Sequence, residues 1–129
     1  MTKTIFLFIT LLMLALSVNS SAEDKWIITS ITPLAEVYVK HMDNRIADAE
    51  GRIRNWTKTE YNKDENILSL VEYDCNDRKI RIIESIEKYE GEPETNYTEI
   101  KEWEKVIPES IDDAAFKYVC ETALPTVLR

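Results

Sequence analysis

The stretch Glu72–Ile83, EYDCNDRKIRII, contains a cysteine beside a polar turn that separates two apolar runs. Asn76 and Asp77 tolerate the left-handed backbone of a tight hairpin turn. We therefore expect the runs on either side of this turn to pair as antiparallel strands. Cys75 lies at the end of the first strand, and Cys120 is the one other cysteine of the chain.

The strand after this turn alternates between apolar and polar side chains, as a half-buried strand does. We expect the apolar face to lie in the core and the other face to meet solvent. The apolar face holds Ile80, Ile82 and Ile86, and the polar face holds Lys79, Arg81, Ser85, Glu87 and, as an exception, Ile83.

Short runs rich in β-branched and aromatic residues, separated by turn residues, predict six strands in all. These strands cover approximately Lys25–Ile31, Glu36–Met42, Arg52–Tyr61, Ile67–Cys75, Arg78–Ile86 and Tyr97–Ile107.

A helix is predicted after the sixth strand, because the spacing of the apolar residues changes there. Ser110 is a suitable N-cap, with Asp113 as its capping-box partner and Asp112 in the first turn. The following apolar residues recur at three- and four-residue spacing, and Pro125 stops the helix. They are Ile111, Ala114, Ala115, Tyr118, Val119 and Thr122, with Cys120 beside them.

These elements predict an α+β fold that is mainly β. We expect an antiparallel meander sheet of about six strands, with the C-terminal helix packed on one face. A helix in that position would let Cys120 reach Cys75, so that a disulfide links the helix to the sheet.

The first 22 residues have the composition of a secretory signal peptide. Lys3 gives a positive start, Ile5–Val18 is almost entirely apolar, and small residues precede a cleavage site after Ala22. An uncleaved membrane anchor is the alternative, but the apolar run is shorter than the roughly 20 residues that a spanning helix needs. With no cysteine near the cleavage site to carry a lipid, we expect a periplasmic or secreted protein that is not a lipoprotein. Residues 23–129 should form a single domain.

Two cysteines in an exported chain of this size predict one disulfide, with one possible intramolecular pairing. Cys75 and Cys120 would close a loop of 46 residues, which the chain-entropy model values at about 4 kcal/mol. A reactive or metal-bound thiol is the alternative. It has little support, because His41 is the single histidine and no C-x-x-C spacing occurs.

No grouping of acid, base, nucleophile and metal ligands appears in the sequence. We therefore expect no enzyme activity, no catalytic residue, no metal and no cofactor. Asp112 and Asp113 are explained by capping, and His41 by a structural role. Asn55 and Asn96 begin glycosylation sequons, which matter only in a host that has that machinery.

The mature chain has 15 basic and 24 acidic side chains, a net charge near −9. This charge disfavours nucleic acid, polyanions and anionic membranes as partners. A local positive strip is possible if the third and fifth strands lie near each other, although such residues are more often solvated strand surface paired with glutamate. The strip would contain Arg52, Arg54, Lys58, Lys79 and Arg81. The tryptophans Trp26, Trp56 and Trp103 are interpreted as core residues, whereas an exposed one would be a contact residue.

Several segments together resemble the surface-adhesin protein E family of bacterial exported proteins. They are a tryptophan near the mature start, VYVKHMD (37–43), GRIRNW (51–56), EYDCNDRKIR (72–81), WEKVIPES (103–110) and FKYVC (116–120). The resemblance spans Lys25–Cys120, and its most specific part is the two-cysteine frame with a hairpin after the first cysteine and a short helix holding the second.

This resemblance implies an antiparallel sheet with a disulfide-linked C-terminal helix, and, for the named member of the family, adhesion to host matrix and plasma proteins. That member resembles a lipoprotein with a basic adhesive face, whereas this chain has no lipid-attachment cysteine and several acids before Cys75. We expect an adhesin-like module of the bacterial cell envelope that contacts other proteins, either host extracellular-matrix or cell-envelope proteins. The alternative is a binder of a small apolar ligand between sheet and helix, in a pocket lined by Ile80, Ile82, Ile86 and the tryptophans.

Overall fold

The computed structural model describes residues 25–42 and 46–121. The predicted signal peptide and the helix stop at Pro125 lie outside the described residues. The strands are β1 (Trp26–Ile31), β2 (Glu36–Lys40), β3 (Arg52–Asn62), β4 (Glu65–Asp74), β5 (Lys79–Lys88), β6 (Thr95–Tyr97) and β7 (Glu104–Lys105). The helix α1 (Ile111–Phe116) continues as a π-helical segment, Lys117–Glu121.

The strands form one antiparallel sheet in the order β1-β2-β3-β4-β5-β6, which is a meander, and β7 pairs with the other end of β5. This confirms the predicted fold class. The prediction of one continuous strand over Tyr97–Ile107 is wrong. Tyr97 pairs with Ser85, and Glu104 pairs with Ile80. The chain from Tyr97 to Glu104 has more residues than the stretch of β5 from Ile80 to Ser85 that it runs beside. The residues between Tyr97 and Glu104 therefore leave the β-ladder.

A β-bulge in β5 changes which residues share a face. Leu70 pairs with Glu84 and Val71 with Ile82, so Ile83 is an extra residue in the ladder. Beyond it the alternation is reversed, and Ile86 pairs with Leu68 on the face opposite Ile80. The prediction that Ile86 shares a core face with Ile80 and Ile82 is therefore wrong.

The hydrophobic core lies between α1 and the sheet. The rings of Tyr73 and Phe116 are 6.4 Å apart between centroids and meet at a tilt of 47°. Burial of these apolar side chains is the main favourable contribution to folding. The core consists of Val39, Ile53, Val71, Tyr73, Val106, Ala115, Phe116 and Val119.

The disulfide between Cys75 and Cys120 is present, with the Cα atoms 5.5 Å apart. Cys75 follows β4 and Cys120 lies in the π-helical segment. Both cysteines pack against the core. The bond thus holds the helix against one end of the sheet, as the sequence predicted.

Asp113 connects the start of the helix to the β4–β5 turn. Its backbone N–H donates to Ser110 Oγ at 3.1 Å, which confirms Ser110 as the N-cap. Its buried carboxylate accepts hydrogen bonds from Arg78 at 2.7 Å and from the backbone N–H of Glu109 at 2.8 Å. The reciprocal bond thus goes to Glu109 and not to the cap residue itself. Arg78 and Glu109 both have positive φ angles, so this carboxylate bridges two unusual backbone positions.

We predict that the carboxylate of Asp113 makes part of the stability depend on pH. The pKa of Asp113 lies below its usual value, because the Glu109 N–H and then Arg78 and Lys117 favour the charged form more than burial disfavours it. Since the unfolded value is about 3.9, this contribution is complete above that pH and is lost as the pH falls through the lower folded value. Urea denaturation at a series of pH values should show that Asp113→Asn is less stable at neutral pH and depends less on pH in the acid range.

Asp64→Asn is the matched control, because Asp64 is exposed in the β3–β4 turn. This variant should keep the pH dependence of the unchanged protein. If the free energy of unfolding of Asp113→Asn and of the unchanged protein depended equally on pH, the Asp113 carboxylate would contribute nothing to the acid sensitivity of the fold.

Candidate functional site

The five basic residues of the predicted strip lie on one face of the sheet. On β3, Arg52 pairs with Asp74 and Arg54 with Glu72, and on β5 the same two acids pair with Lys79 and Arg81. Paired residues share a face, and alternate residues of one strand do as well. Because Ile53 and Tyr73 point to the core, these residues point away from α1. We call this side of β1–β5 the open face.

Glu72 lies between the two arginines and neutralises much of their charge. It is only 5% exposed. Arg54 Nε donates to one carboxylate oxygen at 2.8 Å, and Arg81 donates to the other through Nε at 2.8 Å and through its second nitrogen at 2.7 Å. Burial raises the pKa of Glu72, but these hydrogen bonds outweigh burial and bring the pKa below its usual value. The carboxylate is therefore charged at neutral pH and holds both arginines in place.

Trp103 lies against the arginines of the open face. Its ring centroid is 4.4 Å from the guanidinium carbon of Arg81 and 5.3 Å from that of Arg52. These distances are those of cation–π contacts. Pairing of the adjacent Glu104 with Ile80 places Trp103 next to Arg81 on this face. The indole is therefore held by two cations and remains partly exposed.

A second cation–aromatic group lies further along the open face. Lys58 Nζ is 4.8 Å from the ring of Trp26 and 4.9 Å from the ring of Tyr38. It also forms an ion pair with Glu60 at 3.0 Å. Within the described parts of the chain, Lys79 is the member of the strip that forms no ion pair.

The three tryptophans do not belong to the core beneath the helix, so their interpretation as core residues is wrong. Trp26 pairs with Lys40 and Trp56 with Leu70, and both lie on the open face with Trp103. All three are partly exposed. The sequence signal for the open face was the even spacing of Trp56 from charged residues of the same strand, and not its hydrophobicity. Arg54, Trp56 and Lys58 are alternate residues of one strand.

A cleft of about 490 Å³ lies on the other face, between the sheet, the segment 101–104 and the first turn of α1. Ile80 and Ile82 line it, as the hypothesis of an apolar pocket required. Ile86 and the tryptophans do not, because the bulge and the strand register place them on the open face. The sequence did not reveal that Thr57, Thr59 and Ser69 form part of its floor.

The remaining candidates have structural roles. His41 Nδ1 lies 3.0 Å from the hydroxyl of Tyr118. Asn55 is only 3% exposed and donates to the carbonyl of Lys40 at 2.9 Å, so in the folded protein its sequon is not accessible, whereas Asn96 is exposed. Among residues 25–42 and 46–121, no group of three metal-ligating side chains occurs, and no helix there is long and apolar enough to cross a membrane.

Together these features define a class of protein: a small disulfide-linked antiparallel sheet with one face covered by a helix and the other carrying cations and aromatic rings. That open face offers charged and aromatic groups for noncovalent contacts. A family model for surface-adhesin protein E matches residues 26–121, and the chain belongs to this family. Comparisons with curated proteins and with solved structures give no match.

Proposed function

We propose that this chain is an exported, non-enzymatic, adhesin-like protein that binds other proteins through its open face. In this proposal residues 1–22 are a cleaved signal peptide, residues 23–129 are the single mature domain, and the product is periplasmic or secreted. Membership of the surface-adhesin family supports binding to proteins or host surfaces. Its partners are host extracellular-matrix proteins or proteins of the cell envelope.

The observation that carries this proposal is the contact of Trp103 with Arg52 and Arg81. Tryptophan and arginine are the residues most enriched among those that dominate the energy of protein interfaces. Here the indole of Trp103 is ordered before binding, because it lies against Arg81 and Arg81 is in turn hydrogen-bonded to Glu72. A side chain that is already ordered loses less conformational entropy when a partner covers it.

The charges of the open face support recognition by aromatic contact rather than by a basic strip. Arg54 and Arg81 are ion-paired with Glu72, and Lys58 with Glu60. The mature chain also carries a net charge near −9, which repels acidic partners. Neutral or basic protein surfaces are therefore favoured over acidic plasma proteins and glycans.

We predict that Trp103→Ala weakens binding to a partner at least about tenfold, because truncation of a central tryptophan typically removes a large share of interface energy. The protein would be immobilised and tested against purified extracellular-matrix proteins and cell-envelope extracts, followed by affinity measurement with each retained protein. Retention of none of these proteins would contradict the proposal.

Two controls separate aromatic contact from charge. Tyr97→Ala removes an exposed aromatic side chain of β6 away from the open face and should leave affinity unchanged. Lys79→Ala removes a strip cation without disturbing Glu72, and it should change affinity by less than about threefold, as should a rise in salt from about 0.1 M to about 0.5 M. Loss of binding with Lys79→Ala and with salt, but not with Trp103→Ala, would assign recognition to the basic strip.

A further inference from the structure

The cleft on the helix side of the sheet is separate from the open face and has its own chemistry. The helix covers one end of this side, and the strands beyond it form the floor of the cleft. Val37, Val71, Ile80 and Ile82 give the floor and walls an apolar character. The volume of about 490 Å³ lies within the range of small-molecule sites.

Hydroxyl groups lie among these apolar side chains. The hydroxyls of Thr57 and Tyr73 are 3.0 Å apart, and those of Ser69 and Ser85 are 3.3 Å apart. Burial raises the pKa of Tyr73 to about 12, so this hydroxyl remains protonated at neutral pH. The floor thus carries neutral polar groups and no charge of its own.

The charge at the mouth of the cleft is negative. Glu102, Glu104 and Asp112 line it. Glu104 and Asp112 line the same cleft, and burial, followed by the charge of Glu104, raises the pKa of Asp112. The ion pairs of the described residues leave all three carboxylates without a cationic partner.

The two cations that border the cleft do not balance these acids. Arg81 directs its guanidinium to Glu72 on the open face, at 2.7 Å. Lys101 donates its backbone N–H to the carbonyl of Ile82, and its ammonium lies 3.8 Å from Glu99 with the side chain 56% exposed. A ligand in the cleft would therefore meet an apolar floor and an uncompensated negative rim.

We propose that this cleft binds a small cationic amphiphile, with its apolar chain over Val71, Ile80 and Ile82 and its ammonium group at Glu104 and Asp112. The apolar part is stabilised by removal of its surface from water. The ammonium relieves the repulsion between the two carboxylates and hydrogen-bonds to them. An anionic head group would meet like charge at the same position and is disfavoured.

The test compares octylamine with octanoate, two probes that share a chain length and differ in the sign of the head group. Binding to the purified, oxidised protein would be followed by the isoleucine methyl signals in NMR spectra at neutral pH. We expect octylamine to shift the signals of Ile80 and Ile82, and to leave those of Ile28 and Ile86 on the open face unchanged. Octanoate should bind at least about tenfold more weakly, as expected when two rim charges change from attraction to repulsion.

A charge-removal variant tests the rim directly. Glu104→Gln with Asp112→Asn should weaken octylamine binding about tenfold. The control, Glu90→Gln with Glu92→Gln, removes the same charge from the exposed turn before β6 and should bind octylamine normally. Octylamine binding is measured without a partner protein and partner binding without octylamine, so that failure at the cleft and failure of the open face are distinguishable.

Besides absence of octylamine binding, three results would each overturn the proposal. They are equal binding of octanoate and octylamine, equal weakening by the rim and control variants, and shifts at Ile28 or Ile86 without shifts at Ile80 and Ile82. Because the comparison of the two probes uses the unchanged protein, it remains decisive even if a variant is unstable. Absence of octylamine binding would reject the site.

Discussion

Replacement of both Cys75 and Cys120 by alanine should lower the free energy of unfolding by about 4 kcal/mol at 25 °C. The bond joins residues 45 positions apart, so its loss releases a long loop of the unfolded chain. It also removes the covalent link between the sheet and the π-helical segment that packs on the core. In a domain whose total stability is about 5 to 15 kcal/mol, this is a large fraction. Equilibrium urea denaturation at neutral pH measures the change.

Reduction provides the control for this prediction. Dithiothreitol should destabilise the unchanged protein to a similar extent and should not affect the double variant, because the chain has no other cysteine. A difference below about 1 kcal/mol between the two proteins would mean that strain or residual structure cancels the loop effect.

Much of the fold was predictable because its signals are local. The turn between β4 and β5, the alternation over Lys79–Ile82 and the cap at Ser110 each depend on a few adjacent residues. The left-handed backbone of that turn lies at Arg78 and not, as expected, at Asn76 or Asp77. The disulfide followed from the number of cysteines and the predicted export. These local signals agree with one another, which is what a sequence that specifies a single fold shows.

The errors came from pairing between distant segments. The bulge at Ile83 depends on how β5 fits against β4, and one extra residue moves Ile86 to the other face. The adjacent pair Ile82-Ile83 was the local sign of this irregularity. The division of the predicted sixth strand into β6 and β7 likewise depends on where β5 offers hydrogen bonds.

The sequence predicted which basic residues share the open face, but not which acidic residues pair with them. Arg52, Arg54 and Lys58 are separated by even numbers of positions, so they share one face of any regular strand. The insertion of Glu72 and Asp74 between the arginines of β3 and the cations of β5 requires the register of three strands. The sequence left a positive strip and glutamate-paired strand surface as alternatives, and the fold shows paired charges with aromatic rings against them.

The second large effect is expected for Phe116→Ala, which should lower the free energy of unfolding by about 3 to 5 kcal/mol. Phe116 is only 3% exposed, packs against Tyr73, and has the guanidinium of Arg78 4.8 Å from its ring centroid. Its removal leaves a cavity between helix and sheet and also weakens the contact between the helix and the β4–β5 turn. The disulfide beside it limits how far the helix can move to fill that cavity.

A graded series makes this prediction specific to packing. Phe116→Leu keeps most of the buried volume and should cost clearly less than Phe116→Ala, whereas Tyr97→Ala, at a site 46% exposed, should stay within about 1 kcal/mol of the unchanged protein. Equal losses for the leucine and alanine variants would show that ring geometry rather than volume matters. Since the open face is built by strand side chains that point away from α1, Phe116→Leu should retain binding that depends on Trp103. Loss of that binding in a folded Phe116→Leu protein would mean that the partner site includes the helix side.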